Sequence, residues 1–288
     1  KNKFNSLMLG HALSFLKERF QIASLDSPTL DAELIISFVL GIPRSSIYAF
    51  PERMISSADK NSIKELGKRR EEHEPMAYIL GEKEFWSINF VVNKNVFIPR
   101  PETELLVEVS INNLDKIESP TILDICCGSG AIGVSIAKEL KNSRVFASDL
   151  SKEATICSMQ NASSILLKNY SVLQTFMMSG ILERNFFNLI VSNPPYIPTC
   201  KIANLDTEVA NYGPSMALDG GKDGMFYLSE IIRKAPLYLF SKGVLILEID
   251  HEQVESCIKE IKSTGNYLTP VIHRDLAGLN RVVEVKKN

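Results

Sequence analysis

The segment Leu123–Gly133 reads LDICCGSGAIG, and it joins an apolar run typical of a strand to a glycine-rich turn and the start of a helix. Gly128 and Gly130 allow the backbone to turn tightly and to approach a ligand without intervening side chains. The N-terminus of the following helix offers free N–H groups and a partial positive charge. The segment therefore predicts a ligand-binding turn between a strand and a helix.

Apolar runs alternate with helix-length segments from residue 121 to the end of the chain. This alternation predicts an α/β fold with a doubly wound, largely parallel sheet of seven strands. The predicted strands are 121–125, 144–148, 171–176, 187–192, 243–249, 267–272 and 280–285. The predicted helices between them are 130–140, 152–168, 224–239 and 251–263.

The first 75 or so residues predict a small helical domain. Ser27-Pro28 resembles an N-cap followed by proline at the first helical position, and Gly41 is a suitable stop for that helix. A further helix is predicted from Ser56 to Arg70, and its mixed charges indicate a solvated face. Apolar residues at roughly helical spacing predict the first helix. These residues are Leu7, Leu13, Phe15, Leu16 and Phe20.

Residues 76–100 predict a linker that contains a β-hairpin. Phe85–Val92 alternates imperfectly between apolar and polar residues, which indicates a strand of that hairpin. Pro99-Arg100-Pro101 then interrupts the chain ahead of a helix predicted over 102–113. We therefore expect a helical domain over 1–75, a linker over 76–100 and the α/β domain over 101–288.

Composition and charge exclude several classes of protein. Hydrophobic residues make up 45% of the chain, enough for a sizeable core. The 32 basic and 34 acidic residues nearly cancel, which argues against direct binding to nucleic acid. Five cysteines without a C-x-x-C pair indicate a reducing, cytoplasmic location. No membrane helix, signal peptide or metal-binding histidine spacing is expected.

The glycine turn leaves three interpretations open: an S-adenosyl cofactor, a nicotinamide cofactor, or a turn without a ligand. Asp149 follows the end of the next predicted strand, where it can accept hydrogen bonds from both ribose hydroxyls of an adenosine. Asp124 either fixes a cofactor ammonium group, through the loop or a water, or only caps the loop. No catalytic or metal-binding role is expected for the loop cysteines. The candidate cofactor-binding residues of this region are Cys126, Cys127, Gly128, Ser129, Gly130 and Asp149.

The segment Ile190–Tyr196, with the sequence IVSNPPY, carries the chemistry. Two successive prolines fix φ and remove two backbone donors, which leaves the Asn193 side-chain oxygen and the Pro194 carbonyl as acceptors. These acceptors can receive the two N–H groups of a planar amide or aromatic amine, against the flat face of Tyr196. The alternative is a proline-rich turn at the end of a strand. We identify Asn193, Pro194 and Tyr196 as catalytic candidates, and these three with Pro195 as the substrate-binding set.

Such a pair of acceptors suits methyl transfer to nitrogen. An amide nitrogen is a poor nucleophile because its lone pair is delocalised into the carbonyl. Acceptors that hold its hydrogens orient the nitrogen and favour loss of planarity as positive charge develops. Much of the acceleration would then come from holding both reactants in an attack geometry, and the proton can leave afterwards.

With these residues in place, the chain resembles the release factor glutamine methyltransferase family, called HemK or PrmC. The resemblance covers nearly the whole chain, and its most restrictive parts are Ile98–Glu104 and Ala217–Gly224. The motif from Asn193 to Tyr196 is by itself shared with adenine-amine DNA methyltransferases. Other segments that resemble the family are Glu74–Gly81, Glu84–Trp86, Asp124–Gly133, Asp149–Ser151 and Asp275–Val283.

The resemblance implies a class I methyltransferase (Rossmann-like) domain behind a helical domain that recognises the release factor. It implies S-adenosylmethionine as cofactor and, as substrate, the glutamine of the Gly-Gly-Gln tip of class I release factors. It also implies that Cys126–Gly130, Asp149 and Asn193 bind the cofactor. Asn193 would lie near the methyl group, and Phe97 and Arg100 would border the site. We expect a monomer that binds neither nucleic acid nor membrane.

Two positions depart from the family pattern. Cys126 stands where many relatives have glycine, and Gly213 stands where relatives often carry glutamate. Met178 or Ile181 is suggested as the residue that stacks on the adenine. The alternatives to release-factor methylation are methylation of a ribosomal-protein glutamine, DNA adenine methylation, a docking protein without catalysis and a nicotinamide dehydrogenase.

Overall fold

The computed structural model describes residues 8–288, which divide into two compact units. The helical unit ends at Gly81, and the sheet unit runs from Glu82 to Asn288. The helical unit extends past residue 75 because Met76–Leu80 forms a further helix, whose Ile79 is buried in the core of that unit. The hairpin that follows belongs to the sheet unit.

The helical unit surrounds one apolar core and contains a buried ion pair. Leu16, Ile36 and Ile63, from three different helices, are fully buried together. The Arg70 guanidinium donates to the Asp31 carboxylate over 2.7 Å, which joins the second helix to the fourth. The helices are α1 (Leu9–Ile22), α2 (Pro28–Leu40), α3 (Arg44–Ala49), α4 (Ser57–Glu71) and α5 (Met76–Leu80).

The ends of these helices follow the local sequence. Ser56 caps α4 by accepting a hydrogen bond from the Asp59 N–H over 3.0 Å. Gly41 ends α2, as predicted, and it does so in the left-handed conformation. Ser27 occupies the N-cap position of α2, but its side chain makes no capping hydrogen bond within the described residues. Leu7, assigned by its spacing to the first helix, lies outside the described residues.

Among the described residues, seven strands of the sheet unit form one twisted sheet, which confirms the predicted α/β architecture. Their order is β5-β4-β3-β6-β7-β9-β8; the first five are parallel, and β9 is antiparallel to both of its neighbours. The strands are β3 (Thr121–Ile125), β4 (Arg144–Asp149), β5 (Tyr170–Gln174), β6 (Phe187–Ser192), β7 (Leu239–Glu248), β8 (Val271–Arg274) and β9 (Asn280–Lys286). The helices of this unit are α6 (Glu104–Leu114), α7 (Ala131–Glu139), α8 (Lys152–Ser164), α9 (Thr207–Tyr212), α10 (Phe226–Lys234) and α11 (Val254–Thr264).

The strand order reverses between β3 and β6, and this reversal locates a crevice. The chain passes from β3 to β4 and β5 on one side, and from β6 to β7 on the other. In open α/β sheets, ligands bind outside the carboxyl ends of the strands at such a point. Ile125 and Ser192 are paired at these two ends, so the glycine turn and the Asn193 motif begin side by side.

The segment Phe85–Val92 is not one strand, as the sequence suggested, but contains the tip of the hairpin. The strands are β1 (Glu82–Phe85) and β2 (Ile88–Val91). Trp86 and Ser87 form the connection with φ values of +50° and +54°. Two successive left-handed residues produce the two-residue turn that matches the twist of a hairpin. The signal was missed because such turns usually carry Asn or Gly.

Several boundaries in the sheet unit also differ from those predicted. Helix α8 ends at Ser164 rather than near residue 168, with Leu166 in a left-handed conformation just beyond it. The segment predicted as one helix over 224–239 is α10 followed by a 3-10 turn at Ala235–Leu237. Pro236 removes a backbone donor in that turn. No helix among residues 8–288 is long and apolar enough to cross a bilayer.

Candidate active site

A cavity of about 290 Å³ lies over the carboxyl ends of β3, β4 and β6. It brings together both groups of predicted residues, since the glycine turn forms one part of its wall and the Asn193 motif another. Phe97 and Arg100 also line it, and the Arg100 guanidinium lies over the Phe97 ring at 5.2 Å. The predicted residues in the lining are Phe97, Arg100, Cys126, Cys127, Gly128, Ser129, Asp149, Asn193, Pro194, Pro195 and Tyr196.

The glycine turn is shaped by residues with positive φ. Gly130 has φ +83°, and a Cβ atom there would lie 2.6 Å from the Ser158 hydroxyl, so any other residue would strain the backbone and displace Ser158. Gly130 thus supports the turn from within. Cys126 has φ +60°, a conformation that costs a residue with a Cβ roughly 1–2 kcal/mol. This conformation explains why a glycine would suit the position and why a small side chain is tolerated.

Asp149 connects the glycine turn to the end of β4. Its Oδ2 accepts a hydrogen bond from the Gly128 N–H and its Oδ1 accepts one from the Ser151 N–H, each over 2.9 Å. Burial raises the pKa of the Asp149 carboxyl, and these backbone hydrogen bonds oppose the rise. Each carboxylate oxygen retains capacity for a further donor. Asp149 therefore combines a fixed position at the cavity with acceptors suited to a diol.

Asp124 lies under the turn rather than in the cavity wall. It is fully buried, and its Oδ2 accepts the Gly133 N–H over 2.9 Å. The described residues that line the cavity do not include it, and its Oδ1 has no hydrogen-bond partner among residues 8–288. Burial raises the pKa of this carboxyl to about 8. These contacts support the loop-capping interpretation over a contact with a cofactor ammonium group.

The side chains of the Asn193 motif are held by two residues that the site prediction did not include. Asn193 Nδ2 donates to Thr103 Oγ1 over 3.2 Å, and the Thr103 hydroxyl donates to Glu248 Oε2 over 2.7 Å. The Tyr196 hydroxyl donates to the other oxygen of Glu248 over 3.0 Å. One buried carboxylate thus fixes Tyr196 directly and Asn193 through Thr103.

Both missed residues had a signal in the sequence. Thr103 lies within Ile98–Glu104, which was noted only for its family resemblance. Glu248 closes the apolar run of β7, and a carboxylate at the end of a central strand is expensive to bury without a function or a partner. Burial raises the pKa of Glu248, opposed by the hydrogen bonds from Thr103 and Tyr196 and by the Arg281 charge.

The segment Ala217–Gly224 packs directly on the backbone of the Asn193 motif. Ile197 N–H donates to the Leu218 carbonyl over 3.1 Å, and Gly220 N–H donates to the Ile197 carbonyl over 2.8 Å. A Cβ atom at Gly224, which has φ +76°, would lie 2.2 Å from the Tyr196 carbonyl oxygen. Gly220 and Gly224 are therefore needed for close approach to the Tyr196 backbone.

The apolar wall of the cavity is formed by residues other than Met178 or Ile181. Met178 is only 1% exposed and packs in the core of the sheet unit, as Ile181 does in part. The cavity is lined instead by Leu150, Phe176 and Met177. Met177 has φ +49°, so the chain reverses there, and periodicity could not indicate which side chains face the cavity. Tyr227 also lines this wall, with its ring centroid 6.1 Å from that of Phe176.

Cys126 and Cys127 line the cavity as thiols. Burial raises the pKa of both groups above the ordinary value, so neither is an activated thiolate at neutral pH. No group of three or more His, Cys, Asp or Glu side chains suited to a metal ion occurs within residues 8–288.

Comparison with known families divides the chain in a similar way. Residues 11–81 match the family described as PrmC N-terminal domain, and residues 89–210 match the family described as methyltransferase small domain. The first match ends where the helical unit ends. The second contains the glycine turn and the Asn193 motif.

Individual relatives are similar over nearly the whole chain. A release factor glutamine methyltransferase of Coxiella burnetii is 37% identical over 91% of this chain and 92% of its own length. One of Vibrio cholerae is 34% identical over 96% of both chains. Among solved structures, a methyltransferase from Pyrococcus furiosus has a TM-score of 0.51 at 15% identity, covering 72% of this chain and 92% of its own. That likeness shows the class I methyltransferase fold.

Proposed function

The chain belongs to the release factor glutamine methyltransferase family, and we propose that it methylates the N5 amide nitrogen of the glutamine in the Gly-Gly-Gln tip of class I release factors. The main structural support for this proposal is the position of Asn193. Its amide is held by Thr103 at a cavity that the glycine turn also lines. A substrate amide and a cofactor on that turn therefore meet in one space.

The residues of the cavity fit S-adenosylmethionine. The carboxylate of Asp149 suits the two ribose hydroxyls, and Cys126–Gly130 would follow the amino acid portion of the cofactor. Leu150 and Phe176 give an apolar wall that suits a purine ring. When bound, the cofactor supplies a methyl carbon made electrophilic by the adjacent sulfonium.

The residues of the Asn193 motif bind and orient the substrate amide. Asn193 Oδ1 and the Pro194 carbonyl accept the two N–H groups of the glutamine side chain, while Tyr196 covers one face of the planar amide. Positive charge that develops on the nitrogen strengthens both hydrogen bonds. No strong base is needed, because the proton is acidic once the nitrogen is alkylated.

Further parts of the proposal concern partner and location. The helical unit, with its match to the PrmC N-terminal domain over residues 11–81, recognises the release factor. We propose that the protein acts as a monomer in the cytoplasm and contacts the release factor directly, without nucleic acid. The formal net charge of −2 supports a protein rather than a nucleic-acid substrate.

Mass spectrometry of a release factor incubated with the enzyme and S-adenosylmethionine tests the proposal. We expect a mass gain of one methyl group, located on the Gly-Gly-Gln glutamine, and none on a release factor in which that glutamine is replaced by alanine. Methylation of a ribosomal protein or of DNA adenine, with an unmodified release factor, would contradict it.

The Asn193→Ala variant tests the role of the motif. Because Asn193 is half-buried on the end of a strand, the variant should keep its fold and cofactor affinity but lose nearly all methylation. Full turnover in this variant, checked by circular dichroism for folding, would exclude the acceptor mechanism.

A further inference from the structure

Glu248 is a carboxylate that accepts hydrogen bonds from two hydroxyl groups within the core of the sheet unit. It ends β7, is 2% exposed, and accepts hydrogen bonds from Thr103 and Tyr196 through separate oxygens. Burial raises the pKa of Glu248, and the hydrogen bonds from Thr103 and Tyr196 and the Arg281 charge oppose the rise. A hydroxyl donor on each of its two oxygens is the arrangement that stabilises the ionised carboxylate. An ionised carboxylate can only accept hydrogen bonds. Both hydroxyl protons are therefore directed toward Glu248.

The direction of the hydrogen bond from Thr103 to Glu248 determines which atom of the Asn193 amide faces Thr103. Because the one hydroxyl proton of Thr103 points to Glu248, its oxygen can only accept from Asn193. Asn193 must then present Nδ2, not Oδ1, to Thr103, and in the structure Nδ2 does lie 3.2 Å from Thr103 Oγ1. The other atom of the amide, Oδ1, is left for the cavity. The carboxylate thus determines the orientation of an amide with which it has no direct hydrogen bond.

The orientation matters because an asparagine amide is nearly symmetric in shape but not in chemistry. In the opposite orientation, Nδ2 would meet the N–H groups of the substrate amide, donor against donor. Such a contact would repel the substrate and leave the developing charge without an acceptor. A carboxylate that accepts from Thr103 excludes this orientation; a neutral carboxamide at position 248 would not.

We propose that Glu248 and Thr103 are positioning residues that fix the Asn193 amide with its oxygen toward the substrate. The consequence for turnover rests on the proposed function, whereas the orientation itself is a property of the protein alone. Tyr196 is fixed by the same carboxylate, so one buried group sets both the acceptor and the aromatic face of the motif.

The orientation is measurable without substrate or turnover. In protein labelled with ¹⁵N at asparagine side chains, the Asn193 amide is assigned by its loss in Asn193→Ala. We expect one of its two protons to be shifted downfield and protected from solvent by Thr103, and this signature to disappear in Thr103→Val. If the two Asn193 amide protons exchange with solvent at equal rates, or if their chemical shifts and exchange rates are unchanged in Thr103→Val, the proposal is wrong.

Thr121→Val is the matched control for the loss of a buried hydroxyl. Thr121 begins β3, at the opposite end of the strand from the cavity, and its hydroxyl donates to the Phe186 carbonyl. This variant should lose stability but keep the Asn193 signals and the turnover of the unaltered enzyme.

Turnover on a release factor supplies the second readout. Thr103→Val and Glu248→Gln should each lower kcat by roughly tenfold to a hundredfold, with KM for S-adenosylmethionine unchanged. This loss is smaller than the roughly hundredfold to thousandfold expected when a group that stabilises the transition state is itself removed. Thr103→Ser, which keeps the hydroxyl, should stay within a few-fold of the unaltered enzyme. Unchanged kcat in Glu248→Gln, or a Thr103→Ser variant as slow as Thr103→Val, would overturn the proposal.

These readouts separate the two proposals. A protein that shows the Asn193 signature but does not methylate any release factor would contradict the proposed function and support the orientation. A protein that methylates the release factor while its Asn193 protons are unprotected would support the proposed function and contradict the proposed orientation.

Discussion

Asp149 shapes the glycine turn through its hydrogen bond from the Gly128 N–H, and we propose that the same carboxylate accepts hydrogen bonds from the cofactor ribose. Asp149→Ala should weaken binding of the cofactor product S-adenosylhomocysteine by roughly 1–3 kcal/mol, as expected for lost charge-assisted hydrogen bonds. Isothermal titration calorimetry measures this difference. Asp115→Ala, at an exposed carboxylate after α6, is the control and should bind as the unaltered protein does. Equal affinity of the two variants would count against the ribose assignment.

Asp124 makes the stability of the protein depend on pH. Its pKa rises from 3.8 to about 8 on folding, because burial disfavours the charged form. The folded state therefore holds a proton that the unfolded state has lost between these values, so stability falls as pH rises toward 8. The total loss is of order a few kcal/mol. Urea unfolding from about pH 5 to about pH 9, without cofactor, measures it.

Asp124→Asn cannot ionise and serves as the comparison for this measurement. Its unfolding free energy should lack the part of the pH dependence that Asp124 contributes. If the two proteins differ by a constant amount at every pH, the buried carboxyl does not titrate as described.

The sequence predicted some site residues and missed others for physical reasons. Asn193 follows directly after β6 and Asp149 is the last residue of β4, so the rule for parallel sheets located them without tertiary information. Thr103 and Glu248 belong to the site through hydrogen bonds across 145 residues of chain, which periodicity does not report. Met177 has a positive φ, and the resulting reversal made Phe176 rather than Met178 a wall residue.

At the scale of elements, the segment 217–224 acts as a support for the Asn193 motif. Gly224→Ala should destabilise the protein by roughly 2–4 kcal/mol and lower turnover, because the new Cβ would displace the Tyr196 backbone. Urea unfolding and initial rates on a release factor measure the two effects.

Gly278→Ala is the matched control for this substitution. Gly278 has φ +80°, but its added Cβ meets no heavy atom within 4 Å in the described part of the chain. The variant should lose only about 1 kcal/mol of unfolding free energy, the cost of a Cβ atom in the left-handed conformation, and keep full activity. Similar losses in both variants would show that backbone strain, not the contact with Tyr196, dominates.

Strands and helices with strong patterns were predicted well, and their irregular ends were not. The apolar strands β3 and β6 were placed at their observed bounds, since both faces are buried in a parallel sheet. The hairpin tip at Trp86 and Ser87 escaped prediction because neither residue type favours positive φ. Trp86 donates hydrogen bonds to Glu104 and Glu139, and these long-range contacts support a turn that local preference does not specify.

At the scale of the whole molecule, the strand order explains why two distant motifs form one site. Cys126 and Asn193 are far apart in sequence, but β3 and β6 are neighbours and the order reverses between them. The fold therefore brings both motifs to one cavity, where we propose that the cofactor and the reacting nitrogen meet. The fold does not specify the substrate, since the same architecture carries many methyl transfers.

The most direct test of this account is a crystal structure of the protein with S-adenosylhomocysteine and a glutamine peptide of the release-factor tip. The account predicts the ribose on Asp149, the sulfur beside Asn193, and the glutamine nitrogen donating to Asn193 Oδ1 and the Pro194 carbonyl. A sulfur atom remote from Asn193, or a cavity closed to a planar primary amide, would contradict it.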